Sequence, residues 1–496
     1  MVDVINKKRR KNMKNIFTRV LSLVLVVILS TSVLVACNTE NSLSTEVYEG
    51  DIIYVGNTAG TTGALASIGV PFNLGIEAAF AEYNANGGFN GKKVALKHYD
   101  DEGTATNSVS LMEKLIHEDE VFAIVGNYGG YAVNVNLDML KENCVPMIYA
   151  AAGIDALYND NATEDGDRCI FPVQPLNKTE GRSLIVRAFA SPLKADGVTL
   201  TGGLGAKKVG VISNQDEASQ STLRGIKLEA ENLPASKKNS IVYQDVAGTD
   251  FAAAANAIVS GGCDTVIITV TGTNFVAALT ALAQANFKGQ VLTSSNNASA
   301  DVLNDGGKLT EAGMDILSNM TIYAQGWLDV TSAEYVYNRD TALFRTYKMQ
   351  DKNLYGEGVV GFTESYWNVA EAIFNYAYTV DKGSAWAMSY NSYALAGYIA
   401  GNMFCEALEA LEKSGKELTR ANLVEIMETV DLPVAMAGTI SYANGARTGV
   451  EMFSAAVFFD SGDEAFGEAA TKDHVAASAP FTGLQSIEEL RQYITE

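Results

Sequence analysis

Apolar and polar positions along the chain follow one repeating order: a short apolar run, a small-residue turn, then apolar residues at helical spacing. Asp51–Gly56 is an apolar run closed by glycine, and Pro71 opens a helical pattern that reaches Tyr83, proline being suited to a first helical turn. Val94–Tyr99 predicts a second strand, and Val109, Met112, Leu115 and Ile116 predict the buried face of the next helix. Val121–Val125, a helix ending near Glu142, and Val145–Tyr149 repeat the order. It returns with strands at Lys208–Ser213, Ile241–Asp245, Val266–Val270 and Gln290–Thr293, and with helices at Leu223–Glu231 and Phe275–Asn286. Alternating strands and helices imply parallel sheets covered on both faces, and two such series imply an α/β protein of two doubly wound lobes.

Two stretches break the order. Ser191–Ala206 is rich in Gly, Thr and Leu without a period and reads as a surface insertion of the second lobe. Residues 333–430 read as mostly helical and carry many aromatics, among them Tyr366, Trp367, Phe374, Trp386 and Tyr390. Helix core and lobe packing account for these better than a ligand-lining cage.

The amino-terminal segment changes the setting. Residues 1–19 carry seven Lys and Arg against Asp3, an apolar run follows from Val20 to Val35, and Leu34-Val35-Ala36-Cys37 closes it. A basic region, an apolar core and a small residue before the cut describe an export leader over 1–36, with Met13 opening a leader of more usual length. The run is short for a membrane-spanning helix. Leu-Val-Ala-Cys resembles the lipobox of bacterial lipoproteins, a resemblance that implies lipid attachment at Cys37 and a polar tether over 37–45. No later apolar run reaches spanning length, so the remainder is expected to be a soluble body outside the membrane.

Charge narrows the partners. The whole chain carries −22 and, without residues 1–36, −28. That excludes nucleic acid and anionic membrane surfaces as electrostatic partners, while leaving a small ligand open. None of the five cysteines has zinc-finger or CxxC spacing, and no metal or cofactor is expected. Cys144 and Cys169 each precede a short apolar run; they either pair as a disulfide or, with Cys263 and Cys405, remain buried thiols.

Candidate chemistry sits at strand ends, where open parallel sheets bind ligands. Thr58 follows the first strand, Asn127, Tyr128, Gly129 and Gly130 the third, and Ala151, Ala152 and Gly153 the fourth. Small residues let backbone N–H groups approach a ligand, and a helix N-terminus favours an anionic group. Asn214, Ser219, Thr271, Ser295 and Asn296 are expected to face them from the second lobe. GxSxG, HExxH and GxxxxGK[ST] are absent, and Gly88–Lys93 reads as a helix C-cap and turn, not a phosphate loop. The three histidines, His98, His117 and His474, lie far apart without ligand spacing. Binding without catalysis is therefore expected, ahead of a sensory module of the same fold and an α/β hydrolase or transferase.

The segment from Gly75-Ile76-Glu77 through Tyr83-Asn84-Ala85-Asn86-Gly87-Gly88-Phe89-Asn90-Gly91-Lys92-Lys93 to Tyr99-Asp100-Asp101 resembles the leucine/isoleucine/valine-binding protein family. Gly415–Leu423 and Gly438–Tyr442 resemble its late helix pair and closing β segment. The resemblance implies the type I periplasmic binding protein fold, with a three-crossover hinge and a ligand cleft between the lobes. It places lobe 1 at 46–172 plus 323–434 and lobe 2 at 173–322 plus 435–496. It further implies a monomer that captures a small polar solute, an amino acid or amino-acid-like compound, for the permease of an ABC importer. The family's site residues are replaced here. Its carboxylate-anchoring serine matches Gly130, its backbone and threonine positions match Ala151 and Gly153, its ammonium-pairing acid matches Ser295, and an aromatic pocket residue matches Ile68. Its disulfide positions match Gly103 and Gly129. Asp100, Asp101 or Glu77 are the residues expected to restore a negative charge.

Overall fold

The structure is a computed structural model that describes residues 42–197, 201–332, 337–338, 343–344, 361–462 and 473–495. The leader over 1–36, Cys37 and the tether up to residue 41 lie outside the described residues.

Five strands form the first sheet: β1 (Ile52–Ala59), β2 (Lys93–Asp100), β3 (Ala123–Val125), β4 (Met147–Ile148) and β5 (Ile170–Phe171). They pair in parallel in the order β2-β1-β3-β4-β5. The connections are α1 (Ala66–Ala85), α2 (Ala105–His117) and α3 (Gly130–Glu142). After α4 (Asn177–Phe189) the second series begins: β6 (Val209–Asn214), α5 (Glu217–Ala230), β7 (Ile241–Val246), α6 (Ala252–Ser260), β8 (Thr265–Ile268), α7 (Thr273–Gln284), β9 (Gln290–Thr293) and β10 (Thr321–Gly326). These strands are parallel, and the late strands β11 (Met452–Asp460) and β12 (Ala476–Ser486) extend the sheet antiparallel beyond β10, giving β12-β11-β10-β9-β8-β6-β7. Every residue of the inner strand β6 is buried, whereas edge strand β7 is half exposed, as expected of strands covered on two faces and on fewer.

The first lobe is completed by α8 (Glu364–Val380), α9 (Ser392–Ser414) and α10 (Arg420–Thr429). Glycine brings helices together in both lobes. A Cβ on Gly397 of α9 would lie 1.8 Å from Phe72 O of α1, and one on Gly225 of α5 would lie 1.9 Å from Lys178 O of α4. Backbones at that separation leave no room for a side chain.

Several expectations shift. Pro71 lies within α1, because a 3-10 turn at Gly63–Leu65 leads directly into Ala66 and starts the helix earlier. The stretch Gly63–Ala85, of mean hydropathy 1.4, is long and apolar enough to cross a membrane. It is a core helix: Phe72, Ile76 and Phe80 are buried in the first-lobe core that α9 also lines. β10 belongs wholly to the second sheet, so the chain leaves that lobe after Gly326 and not at 322. The hairpin Leu432–Val434/Gly438–Ile440, Tyr442 and Val450 pack into the first-lobe core, so the last crossing follows Val450 and not 434. Part of Ser191–Ala206 is interior. Leu204 and Ala206 are buried and donate to the carbonyls of Arg187 and Ala188, while Arg187, itself buried, needs Gly202 O as an acceptor. The tether is docked from Leu43 onward, where Leu43 N–H meets Asp165 and Ser44 O accepts from Ala421.

The aromatic stretch divides. Tyr366, Tyr398 and Phe404 are buried, but Trp386 is 63% exposed and Tyr378 and Tyr390 also reach the surface. Cys144, Cys169, Cys263 and Cys405 are buried free thiols, and the Cys144 thiol donates to Lys141 O at 3.6 Å.

Candidate ligand-binding site

At the carboxyl end of the first sheet, the polar residues lock the loops to one another. Thr58 and Asn127 are fully buried. Asn127 Oδ1 accepts from Thr58 N–H at 3.2 Å and from Thr58 Oγ1 at 3.0 Å, and Thr58 Oγ1 lies 2.7 Å from Ser108 Oγ. Three backbone donors expected to meet a ligand are engaged internally: Gly129 N–H with Ala151 O, Ala151 N–H with Asn127 O, and Ala152 N–H with Ala150 O. The loop folds back on itself before α3 starts, which requires φ +92° at Gly129. Gly130 has ordinary φ and open space, the nearest atom to a Cβ being Ile154 Cγ2 at 3.7 Å. Tyr128 is half-buried, edge-on to Phe72 and Tyr393 with centroids 5.2 and 6.5 Å away.

The second sheet repeats the device. Ser219 Oγ accepts from Asn214 N–H at 3.1 Å and lies 2.7 Å from Thr269 Oγ1, and Asn214 Nδ2 donates to Asp216. Asn214 and Ser219 are buried. Four expected residues do converge. Gly153, Thr271, Ser295 and Asn296 line one cavity of about 530 Å³, together with Gln174, Pro175, Asn177, Glu180, Ala218, Gly272 and Trp327. Gln174 and Pro175 lie on the first crossing and Trp327 just after β10, so the cavity sits at the base of the cleft, where both lobes and the hinge contribute.

Glu180 is the charged group of this lining. It projects from the first turn of α4, which Gly181 and Gly225 hold close to α5. Its side chain is buried, its Oε1 accepts from Ser295 N–H at 3.2 Å, and its Oε2 has no partner. Burial pushes the carboxyl up to about 7, with the hydrogen bonds from Ser295 opposing. Two further polar atoms nearby lack partners, Ser294 Oγ and Gln325 Nε2. The pairing Thr293↔Ala324 sets Ser294 beside Gln325, and Ser183, one turn beyond Glu180, donates to Gln325 Oε1 at 2.9 Å. Of these, Glu180 lines the cavity, and an unpartnered buried polar atom at a cavity wall marks a place for ligand or ordered water.

The acids expected to restore charge lie elsewhere. Glu77 accepts from Tyr376 Oη at 3.0 Å. Asp100 caps Thr61 and Thr62, and Asp101 accepts from Gly103 N–H and Tyr131 Oη. Glu180 escaped the sequence reading although a signal was present. Leu176, Glu180, Leu184 and Ala188 recur every fourth residue, so the acid shares its helix face with buried apolar side chains.

Residues 52–340 match the periplasmic binding protein family. Over 96 residues the chain is 34% identical to Leu/Ile/Val-binding protein homolog 2 of Brucella abortus, covering 19% of this chain and 26% of that protein. Over 222 residues it is 25% identical to an amino acid binding protein of Pseudomonas aeruginosa, covering 43% and 52%. The chain thus spans about a quarter to a half of the length of these curated relatives. The substrate-binding protein of an ABC transporter from Aeropyrum pernix superposes with TM-score 0.54 at 16% identity, over 90% of this chain and 99% of that one, a likeness of fold. The family match extends over more than half of the residues and the two-sheet architecture agrees with it: the chain belongs to the periplasmic binding protein family, with the type I fold that its sequence led us to expect.

Proposed function

We propose that this protein is an extracytoplasmic solute-binding lipoprotein, anchored through Cys37, that captures a small polar solute and delivers it to the permease of an ABC importer. The observation that carries the reading is the cavity where both lobes meet the hinge, lined by Gly153, Asn177, Glu180, Thr271, Ser295 and Asn296. Its volume of about 530 Å³ suits an amino acid or a compound of similar size. Three passages between the sheets form a hinge about which the lobes close over the ligand. The names of the matched relatives place branched-chain and other amino acids first among solutes to try. The reaction expected is capture and release of an unaltered ligand by a monomer.

Thermal-shift screening of amino acids, amides, short peptides and purine-like solutes tests the reading, because a ligand at one hundred times its Kd stabilises by about 2.7 kcal/mol. At least one solute is expected to raise the melting temperature and to be recovered unchanged. Recovery of a chemically altered compound above a heat-killed control would refute capture without catalysis.

A further inference from the structure

We propose that the unpartnered Glu180 Oε2 anchors a positively charged nitrogen of the ligand, so that the cavity selects solutes bearing a protonated amine. The inference rests on the solute-capture reading above and deepens it.

The geometry argues for a cation. Glu180 is buried at the cavity wall with one oxygen held by Ser295 N–H and the other free. An ionised carboxylate removed from water is costly unless a partner compensates, and a charged partner compensates best. Among the described residues the protein supplies no such partner. Among the described lining residues Glu180 is the one charged group; the rest are amides, hydroxyls, small residues, Pro175 and Trp327. The cations on α4 itself are engaged elsewhere: Lys178 lies over the Tyr158 ring, Arg182 pairs with Glu229 and Glu451, and Arg187 donates to Gly202 O and Phe453 O. On α5, packed against it, Arg224 pairs with Asp155 and Glu217, Lys227 lies over Tyr243, and Glu229 is held by Arg182 and Arg491. The segments of β9, β10 and the 295–297 turn around Glu180 bring no charged side chain. Trp327 adds an aromatic wall compatible with an alkylammonium group.

The same geometry couples capture to a proton. In the empty protein, burial holds the carboxyl near 7. A bound ammonium favours the ionised form and draws that value down, so binding near or below neutrality releases a proton. Affinity for an amine is then level above about pH 7 and falls by up to about tenfold per pH unit below it.

The test uses the processed full-length chain, E180Q and E180D. Probes are the twenty common L-amino acids, putrescine and spermidine, with N-acetylated amino acids and benzoate as uncharged-nitrogen and anionic counterparts; thermal shift finds binders and calorimetry gives affinities. At least one amine is expected to bind wild type, its N-acetyl counterpart at least about a hundredfold more weakly. E180Q, which keeps the oxygen that accepts from Ser295, is expected to lose about a hundredfold and its pH dependence, and E180D to lose less. The comparison of amine with N-acetyl compound and the wild-type pH profile need no variant, so they decide even if E180Q folds poorly. Acetylated or anionic probes binding wild type and E180Q alike would overturn the Glu180 assignment and leave solute capture standing. An amine whose affinity ignores both pH and E180Q would do the same. Binding by no probe of any class would count against solute capture itself and take this inference with it.

Discussion

The backbone N–H of Ser295 donates to Oε1 of Glu180 at 3.2 Å, joining the turn after β9 to the first turn of α4. The family resemblance matches Ser295 to that family's ammonium-pairing acid. A carboxylate stands beside Ser295, supplied by a different element and held by the Ser295 backbone.

Glu180 makes the stability of the ligand-free protein depend on pH. Its folded value, about 7, lies above the ordinary value of 4.5, so between these limits the folded state binds more protons than the unfolded chain. Stability from this group is full below about pH 4.5 and is lost as pH rises through about 7, a change on the order of 3 kcal/mol, of which about 2 kcal/mol falls between pH 5.5 and 8. Urea unfolding at pH 5.5 and 8 should show E180Q losing less stability over that interval than wild type. Equal pH slopes in the two proteins would show that the carboxyl is not perturbed.

Asn127 holds the first sheet's carboxyl end together. Asn127→Ala removes the acceptor of both Thr58 N–H and Thr58 Oγ1 in a fully buried setting. We expect a loss of about 1–3 kcal/mol in denaturant midpoint analysis, with the m-value unchanged. A variant as stable as wild type would show that water replaces the asparagine and that the site is more open than it looks.

Gly130 separates packing from binding. Its φ is ordinary and a Cβ would meet nothing closer than 3.7 Å, so Gly130→Leu should leave the ligand-free melting temperature within a few degrees. If the cleft closes over this surface, the added side chain should abolish binding of any solute found by thermal shift. Unchanged affinity in calorimetry would remove Gly130 from the ligand's surroundings.

The proposed anchoring through Cys37 has a direct test. Cys37→Ser should release the protein into the medium or leave it uncleaved at the membrane, as followed by fractionation and immunoblotting. Mass spectrometry of wild type is expected to find lipid on Cys37; an unmodified thiol would end the anchoring proposal.

Much of the architecture was legible before any coordinates. The strand at Gln290–Thr293 has the bounds expected of it, and those at β2, β6 and β7 differ from expectation by a residue or so. Burial of a strand or a helix face depends on the spacing of apolar residues within a dozen positions, and that spacing is written locally. Where the reading slipped, a non-local partner decided. α1 starts before Pro71 because a turn precedes it and α9 packs on it; Leu204 is interior because the end of α4 supplies acceptors. The lobe boundaries moved because β10 finds its partners in β9 and β11, which no local pattern announces.

By itself the sequence determined the α/β class, the two series of strands and helices, the family, and which loops lie at strand ends. It also placed polar residues at those ends without revealing their use, since a threonine that binds a ligand and one that locks a neighbouring loop have the same local pattern. Only the tertiary structure decided that Thr58, Asn127, Asn214 and Ser219 bond within the protein, while Gly153, Thr271, Ser295 and Asn296 line one cavity. Only it brought Glu180 to Ser295, 115 residues later in the chain. The reason is physical: the charge state and reach of a carboxyl depend on burial and on the donors within about 3 Å, and both are set by how helices and sheets dock rather than by the residues beside it in sequence.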